Sequence, residues 1–225
     1  MTADLRPVIR VVNQVVAANT YLCKMASPGD CILVDPGLDK DAIETALEQA
    51  DLTPRAIFCT HGHFDHVGTA EYFRRKYTID IYLHDADAKI ARSANFVMMA
   101  LKMPYRIEVP TRHMSIDEGT HWTCGDTRVE VVHAPGHTPG SVVLLIDGRA
   151  FTGDTLYRQG AWMGSMPETD RGQLVESLRR LWESLPGDVS VHPGHGRSAG
   201  FSEIQRSNIP LREILGIDDP ARVNP

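Results

Sequence analysis

The sequence predicts an α/β fold. Short runs of β-branched and apolar residues alternate with segments of helical spacing through both halves of the chain. The residues that interrupt this alternation, chiefly histidine, aspartate, glycine and proline, fall where the strand-like runs end. With 42% apolar and 23% charged residues in 225, the chain can bury a core, and we expect residues 1–225 to form a single domain.

The elements follow in order. Residues 9–16 and 21–24 are apolar and β-branched and predict strands, and 31–34 is a buried strand stopped by Asp35-Pro-Gly. Residues 39–50 place Ile43, Ala46, Leu47 and Ala50 at helical spacing, with Asp39 able to cap the start. A strand at 55–60 runs into a histidine cluster, a helix is expected at 66–76, and a strand at 79–83. Residues 85–103 read as a looser helix, and strands are expected at 128–133, 142–146, 150–152 and 188–192. Helices at 171–184 and near 202–215 complete the pattern. Periodicity alone does not say whether the strands form one sheet or two.

The formal net charge is −6, which leaves no basic footprint for nucleic acid. No apolar run approaches membrane-spanning length, and the start lacks a signal-peptide pattern, so a cytoplasmic protein is expected. Cys23, Cys31, Cys59 and Cys124 form no C-x-x-C pair and read as small apolar residues rather than disulfide partners. Oligomeric state stays open, a homo-oligomer included.

The chemistry gathers in His61-Gly-His63-Phe-Asp65-His66, followed by His137 in Pro135-Gly-His-Thr, Asp154 in Thr152-Gly-Asp-Thr and His195 in Pro193-Gly-His-Gly, with Asp35 upstream. On an extended chain i and i+2 point the same way, so His61 and His63 can grip one ion, with Gly62 leaving room between them. The turn into the next helix then redirects Asp65 and His66 towards a second position. His137, Asp154 and His195 each follow an expected strand end, where functional side chains collect. Imidazole and carboxylate suit zinc, iron or manganese. A single histidine is more often structural, and Asp65 alone could simply cap a helix. With 10 histidines in 225 residues, however, the full run has a chance frequency on the order of one in a thousand. His113, His121 and His133 lack ligand spacing, and His84 and His192 read as structural.

These motifs resemble the metallo-β-lactamase superfamily and, within it, the glyoxalase II-like branch, from Asn19-Thr-Tyr-Leu through Pro193-Gly-His-Gly. The resemblance implies an αββα four-layer sandwich with two divalent metal ions at one edge, zinc foremost and iron or manganese as alternatives. It implies that His61, His63 and His137 hold the first metal, that Asp65, His66 and His195 hold the second, and that Asp154 bridges both. Asp65 is also the candidate catalytic carboxylate. In the β-lactamases proper a cysteine occupies a metal position, and none of the four cysteines here stands at a matching place.

Metal binding lowers the pKa of water from 15.7 to about 7, so hydrolysis by a metal-bound hydroxide is expected. The sequence offers no dedicated general acid. A thiolate leaves without one because thiol pKa is about 8.5, which favours a small-molecule thioester over an amide, with a lactone or other ester next. A mononuclear-iron persulfide dioxygenase on the same fold would use His61, His137 and Asp154, but the Gly-Arg-Thr-Asp loop usual there is missing. A non-catalytic relative would be expected to lose ligands, and all seven are present.

Glyoxalase II enzymes carry a basic residue and a tyrosine after this aspartate to help bind glutathione. Here the stretch is Gly153-Asp-Thr-Leu-Tyr157-Arg-Gln-Gly-Ala-Trp162-Met163, with Met or Ser at the basic position, which points away from S-lactoylglutathione. Tyr157, Trp162 and Met163 are the candidate substrate-binding residues, while most of the methionine-rich stretch 96–103 is expected to pack in the core and Arg158 to be solvated.

Overall fold

A computed structural model of the chain describes residues 6–161, 164 and 166–217; Trp162 and Met163 therefore lie outside the described residues. The first sheet contains β1 (Val8–Val12), β2 (Asn19–Lys24), β3 (Asp30–Val34), β4 (Thr53–Phe58), β5 (Ile81–Leu83) and β6 (Met114–Ser115), in that order. Its first two junctions are antiparallel and the next three parallel. The second contains β7 (His121–Cys124), β8 (Thr127–His133), β9 (Val142–Ile146), β10 (Arg149–Gly153), β11 (Ser190–Pro193) and β12 (Ala199–Gly200), again in neighbour order. Only β10 and β11 are parallel there.

Side-chain alternation explains the layering. In β3, Ile32 and Val34 face the space between the sheets with Phe58, Leu144 and Phe151, while Cys31 and Leu33 face outward. The outward set packs against Ile43 and Leu47 of α1 (Lys40–Gln49) and Phe73 of α3 (Ala70–Tyr77), which α2 (Phe64–Val67) precedes. Beyond β5, a 3-10 turn at Asp85–Asp87 leads into α4 (Ala88–Ala100). In β9, Val142, Leu144 and Ile146 point inward and Val143 outward. That outer face meets α5 (Arg171–Ser184), α6 (Phe201–Ser207) and α7 (Ile209–Leu215) through Leu178, Phe201 and Leu211. The result is the four-layer αββα sandwich. Both faces of each central strand are covered, which is why those strands read as unbroken apolar runs.

Several boundaries differ from the sequence reading. The strand expected over 9–16 stops at Val12, because Asn13 accepts from the Ala17 amide in a turn that takes Ala17 to a φ of 57°. The helix expected over 66–76 is two, α2 and α3, broken at Gly68-Thr69. The last helix is also two: Asn208 caps α7 by accepting from Leu211 N, and Pro210 in its first turn supplies no donor. β7 was not expected; its residues alternate between exposed and half-buried and carry no apolar run. Asp39 caps α1 as anticipated, accepting from Ala42 N. In the stretch 96–103 only Met98 is fully buried, whereas Phe96, Met99 and Leu101 are exposed, so its core-packing expectation is corrected. All four cysteines are free. Among the described residues no helix is long and apolar enough to cross a membrane.

β3 and β4 run the same way, as do β8, β10 and β11. The loops leaving their C-terminal ends carry Asp35, His61, His137, Asp154 and His195. Phe58 anchors the inter-sheet layer, stacked on Tyr82 with ring centroids 4.5 Å apart and edge-on to Trp122 at 5.6 Å. Phe58→Ala is expected to cost about 3–5 kcal/mol of unfolding free energy in urea titrations; a loss below ~1 kcal/mol would mean that this layer does not hold the sheets together.

Candidate metal centre

The chain leaves β3 at Asp35, a buried carboxylate at a φ of 50°. Its Oδ1 accepts from Thr60 N and its Oδ2 from Thr60 Oγ1, each at 2.7 Å, and Oδ2 also lies 3.0 Å from His66 Nδ1. Having given its own proton to Asp35, the Thr60 hydroxyl can only accept from His61 Nδ1, 3.1 Å away. His61 and His66 are thus both held with the proton on Nδ1, leaving Nε2 to point inward. Glu168 does the same for His63 from the other side: its Oε1 lies 2.6 Å from His63 Nε2, leaving Nδ1 inward.

The inward nitrogens converge. His63 Nδ1 is 3.1 Å from His61 Nε2 and 3.0 Å from His137 Nε2. The ring nitrogens of His61 and His137 thus crowd against the same nitrogen of His63, an arrangement that a cation between the three would satisfy. Ligand atoms about 2.0–2.1 Å from a tetrahedral ion are themselves roughly 3.3 Å apart, close to the spacing seen. In the second group, Asp65 Oδ2 lies 3.7 Å from His66 Nε2 and 3.4 Å from His195 Nε2. Asp154 reaches both groups: Oδ2 is 3.6 Å from His137 Nε2 and 3.5 Å from His195 Nε2, and Oδ1 is 3.6 Å from His66 Nε2. His66 Nε2 and Asp154 Oδ1 are buried without a hydrogen-bond partner, as befits donor atoms awaiting an ion. The donor set therefore fits two divalent cations. The structure brings all seven sequence-predicted ligand candidates together, and Tyr157 lines the same cavity.

Two features escaped the sequence reading. Asp87 accepts from Gly62 N, Thr138 Oγ1 and Gly140 N, each at 2.7 Å, tying the loop of His61 and His63 to that of His137. Burial pushes its carboxyl pKa up against these donors. Glu168 is the other; its partner lies 105 positions away. Gly62 also has a different reason from the one expected. A Cβ there would meet Asp87 O at 2.7 Å and Ala91 N at 3.1 Å, so it clears the start of α4 rather than a gap between histidines. Gly194 is equally constrained, since its Cβ would sit 2.2 Å from Asp154 Oδ1.

The other histidines lie elsewhere. His113 pairs with Asp85, His121 contacts Arg128, and His192 stacks on Phe151 at 4.9 Å, where burial pushes its pKa down to about 4. Donor atoms of His84, Asp117 and His133 lie within 4.8 Å of one another, but the two rings are stacked 5° from parallel, so their in-plane lone pairs do not converge. Arg158 is tied to Glu203 at 3.0 Å rather than merely solvated.

Electrostatics divide the two groups. Burial, reinforced by neighbouring imidazoles, holds His61 well below the usual histidine range, and burial brings His137 down to about 4. Burial opposes charge on His66 and His195 as well, but Asp65 and Asp154 outweigh it and raise them to about 9 and about 10. The same imidazoliums hold Asp65 and Asp154 below the usual carboxylate range despite burial.

A family model described as the metallo-beta-lactamase superfamily matches residues 13–199. The hydroxyacylglutathione hydrolase GloC of Haemophilus influenzae is 29% identical over 78% of this chain and 84% of its own length. The probable polyketide biosynthesis zinc-dependent hydrolase BaeB of Bacillus velezensis is 28% identical over 83% and 76%. The crystal structure of TTHA1623 in a di-iron-bound form superposes with a TM-score of 0.79 at 31% identity, covering 89% of this chain and 98% of that one.

Without metal, His66 and His195 are protonated at pH 7, so an ion entering their group must displace one proton from each. Affinity there is expected to rise with pH until about 9–10, whereas protonation of His61 and His137 should compete with the metal only in acid. Calorimetry of metal loading in buffers of different ionisation enthalpy measures the released protons; none released at pH 7 would contradict this assignment. Asp35→Asn is expected to weaken metal binding about 10–100-fold in chelator competition, with circular dichroism unchanged.

Proposed function

This chain belongs to the metallo-beta-lactamase superfamily, and on that premise we propose that it is a dinuclear metal-dependent hydrolase that cleaves a thioester. The observation that carries the reading is the convergence of seven inward-facing donors on two adjacent points in the wall of a cavity of about 590 Å3. We read residues 1–225 as one domain of this fold. His61, His63 and His137 hold one divalent ion, Asp65, His66 and His195 the other, and Asp154 spans both. Zinc is favoured, in keeping with the name of the Bacillus velezensis relative, and iron with the di-iron form of TTHA1623.

Bound ions supply Lewis acidity, acidifying water and polarising a carbonyl. The chain's own residues do the rest. Asp35, through Thr60, and Glu168 fix which imidazole nitrogens face inward. Asp65, whose carboxyl pKa lies below the usual carboxylate range already in the metal-free chain, is the carboxylate at hand to take the proton that the attacking water gives up. Tyr157, beside Asp154, is the described residue we assign to orient the substrate. Arg158, the residue next to it, is engaged by Glu203. A thiolate needs no proton donor to leave, which matches a site whose described histidines and carboxylates are all assigned to metal and whose other polar groups are Tyr157 and Gln159. A mononuclear-iron dioxygenase using His61, His137 and Asp154 would leave His63, Asp65, His66 and His195 without a task.

Metal analysis should find two ions per chain, and metal-loaded protein should turn over acyl thioesters faster than lactones. Lactone turnover with every thioester refused would overturn the thioester assignment; one iron per chain with oxygen uptake on a persulfide would overturn the hydrolase. Asp154→Ala is expected to lower kcat/KM at least 100-fold and to reduce the metal count.

A further inference from the structure

The lining of the cavity is of two kinds. Five of the donor residues, His63, Asp65, His137, Asp154 and His195, make its polar floor. Val16, Phe64, Leu101, Ala161 and Met166 supply its apolar wall. Leu101 is 58% exposed, and Val15, next to Val16, is 53% exposed, so the apolar wall continues outward to the surface. Tyr157 and Gln159 add neutral polar groups, and no lysine or arginine is among the described residues that line the cavity. Arg158, adjacent in sequence, is paired with Glu203 through Nε at 3.1 Å and Nη2 at 3.0 Å. On the far side of His63 stands another carboxylate, Glu168.

Such a wall discriminates by chemistry. A glutathione thioester brings two carboxylates and two amides, and a lining whose described side chains include no lysine or arginine would strip water from those carboxylates with little in return away from the metal centre. An alkyl or aryl acyl group loses no hydrogen bonds on entering and gains burial. Large exposed apolar side chains on the rim of a concave site also mark a surface that an apolar ligand covers.

We propose that the substrate is a thioester with an apolar acyl group, which lies along Val16, Phe64, Leu101, Ala161 and Met166 while its carbonyl reaches the floor. This rests on the thioester hydrolase reading and narrows it to a substrate class. The thiol carrier then extends away from the apolar wall and contributes little to recognition. Leu101 is a specificity-determining residue because it is both in the wall and on the rim.

The test uses metal-loaded protein and two series. The first is acetyl to decanoyl thioesters of N-acetylcysteamine, a neutral thiol, with S-lactoylglutathione beside them; the second is butyrate to decanoate, titrated by calorimetry without turnover. Expected are a rise in kcat/KM of about fourfold per added methylene until the wall is covered, a parallel rise in carboxylate affinity, and S-lactoylglutathione below the longer acyl thioesters. Leu101→Glu should flatten both series, and because the residue is exposed the variant should fold, as circular dichroism can verify. Thioester turnover with no chain-length dependence, or with S-lactoylglutathione preferred, overturns the inference and leaves the thioesterase reading standing. Chain-length-dependent carboxylate binding with no thioester turned over supports the apolar wall and removes the thioesterase reading. Flat carboxylate binding with no turnover overturns both.

Discussion

Asp35 accepts from the backbone and hydroxyl of Thr60 and sits against His66 Nδ1, and the geometry of the metal centre depends on those three contacts. Through Thr60 it sets the tautomer of His61, and directly it sets that of His66. One carboxylate therefore orients an imidazole in each donor group. The arrangement requires β3 and β4 to be neighbours in register, so that the residue after Val34 meets the residues after Phe58. It also requires a positive φ at Asp35, which an aspartate tolerates better than a β-branched residue. Asp87 performs a related task with backbone and hydroxyl donors, joining loops from the two sheets.

The residues of the centre were legible because they sit in short local motifs: alternate residues on an extended chain, a turn into a helix, and three strand-end loops flanked by glycine. What orients them was not. Asp87 meets Thr138 across 51 positions and Gly140 across 53, and Glu168 meets His63 across 105, and spacing along a chain carries no trace of such contacts. The same holds for the fold. The α/β alternation was visible in the apolar runs, but runs covered on both faces do not reveal which sheet they join, and the two-sheet arrangement came from resemblance. β7 was invisible because half its side chains face water. The breaks at Gly68-Thr69 and Asn208 were missed because helical spacing continues across them.

The centre gathers five histidines and two aspartates, most of them buried, in one place, an arrangement that costs stability unless the charges are matched. In the first group no carboxylate stands among the crowded imidazole nitrogens, where those of His61 and His137 lie 3.1 and 3.0 Å from His63 Nδ1. In the second, imidazoliums and carboxylates pair, but at 3.4–3.7 Å, longer than hydrogen bonds. On the proposed reading, ions relieve both conditions at once, and the fold gains stability with the logarithm of their free concentration. On the same reading the apolar part of the lining works the other way: it offers nothing to a charge, so selection among substrates would fall to the apolar part of the molecule rather than to the group the ions touch.

Donors come from both sheets, His61 and His63 from the loop after β4, and His137, Asp154 and His195 from loops after β8, β10 and β11. Each ion would thus act as a crosslink between distant parts of the chain. In an unfolded chain only the local run from His61 to His66 has its donors close together; His137, Asp154 and His195 join them across long loops, whose closure is entropically unfavourable before other contacts form. On the proposed reading, complete coordination therefore follows the docking of the sheets. A folded, metal-free stage would hold its ligand loops through the contacts of Asp35 and Asp87 and through the imidazolium–carboxylate pairs of the second group.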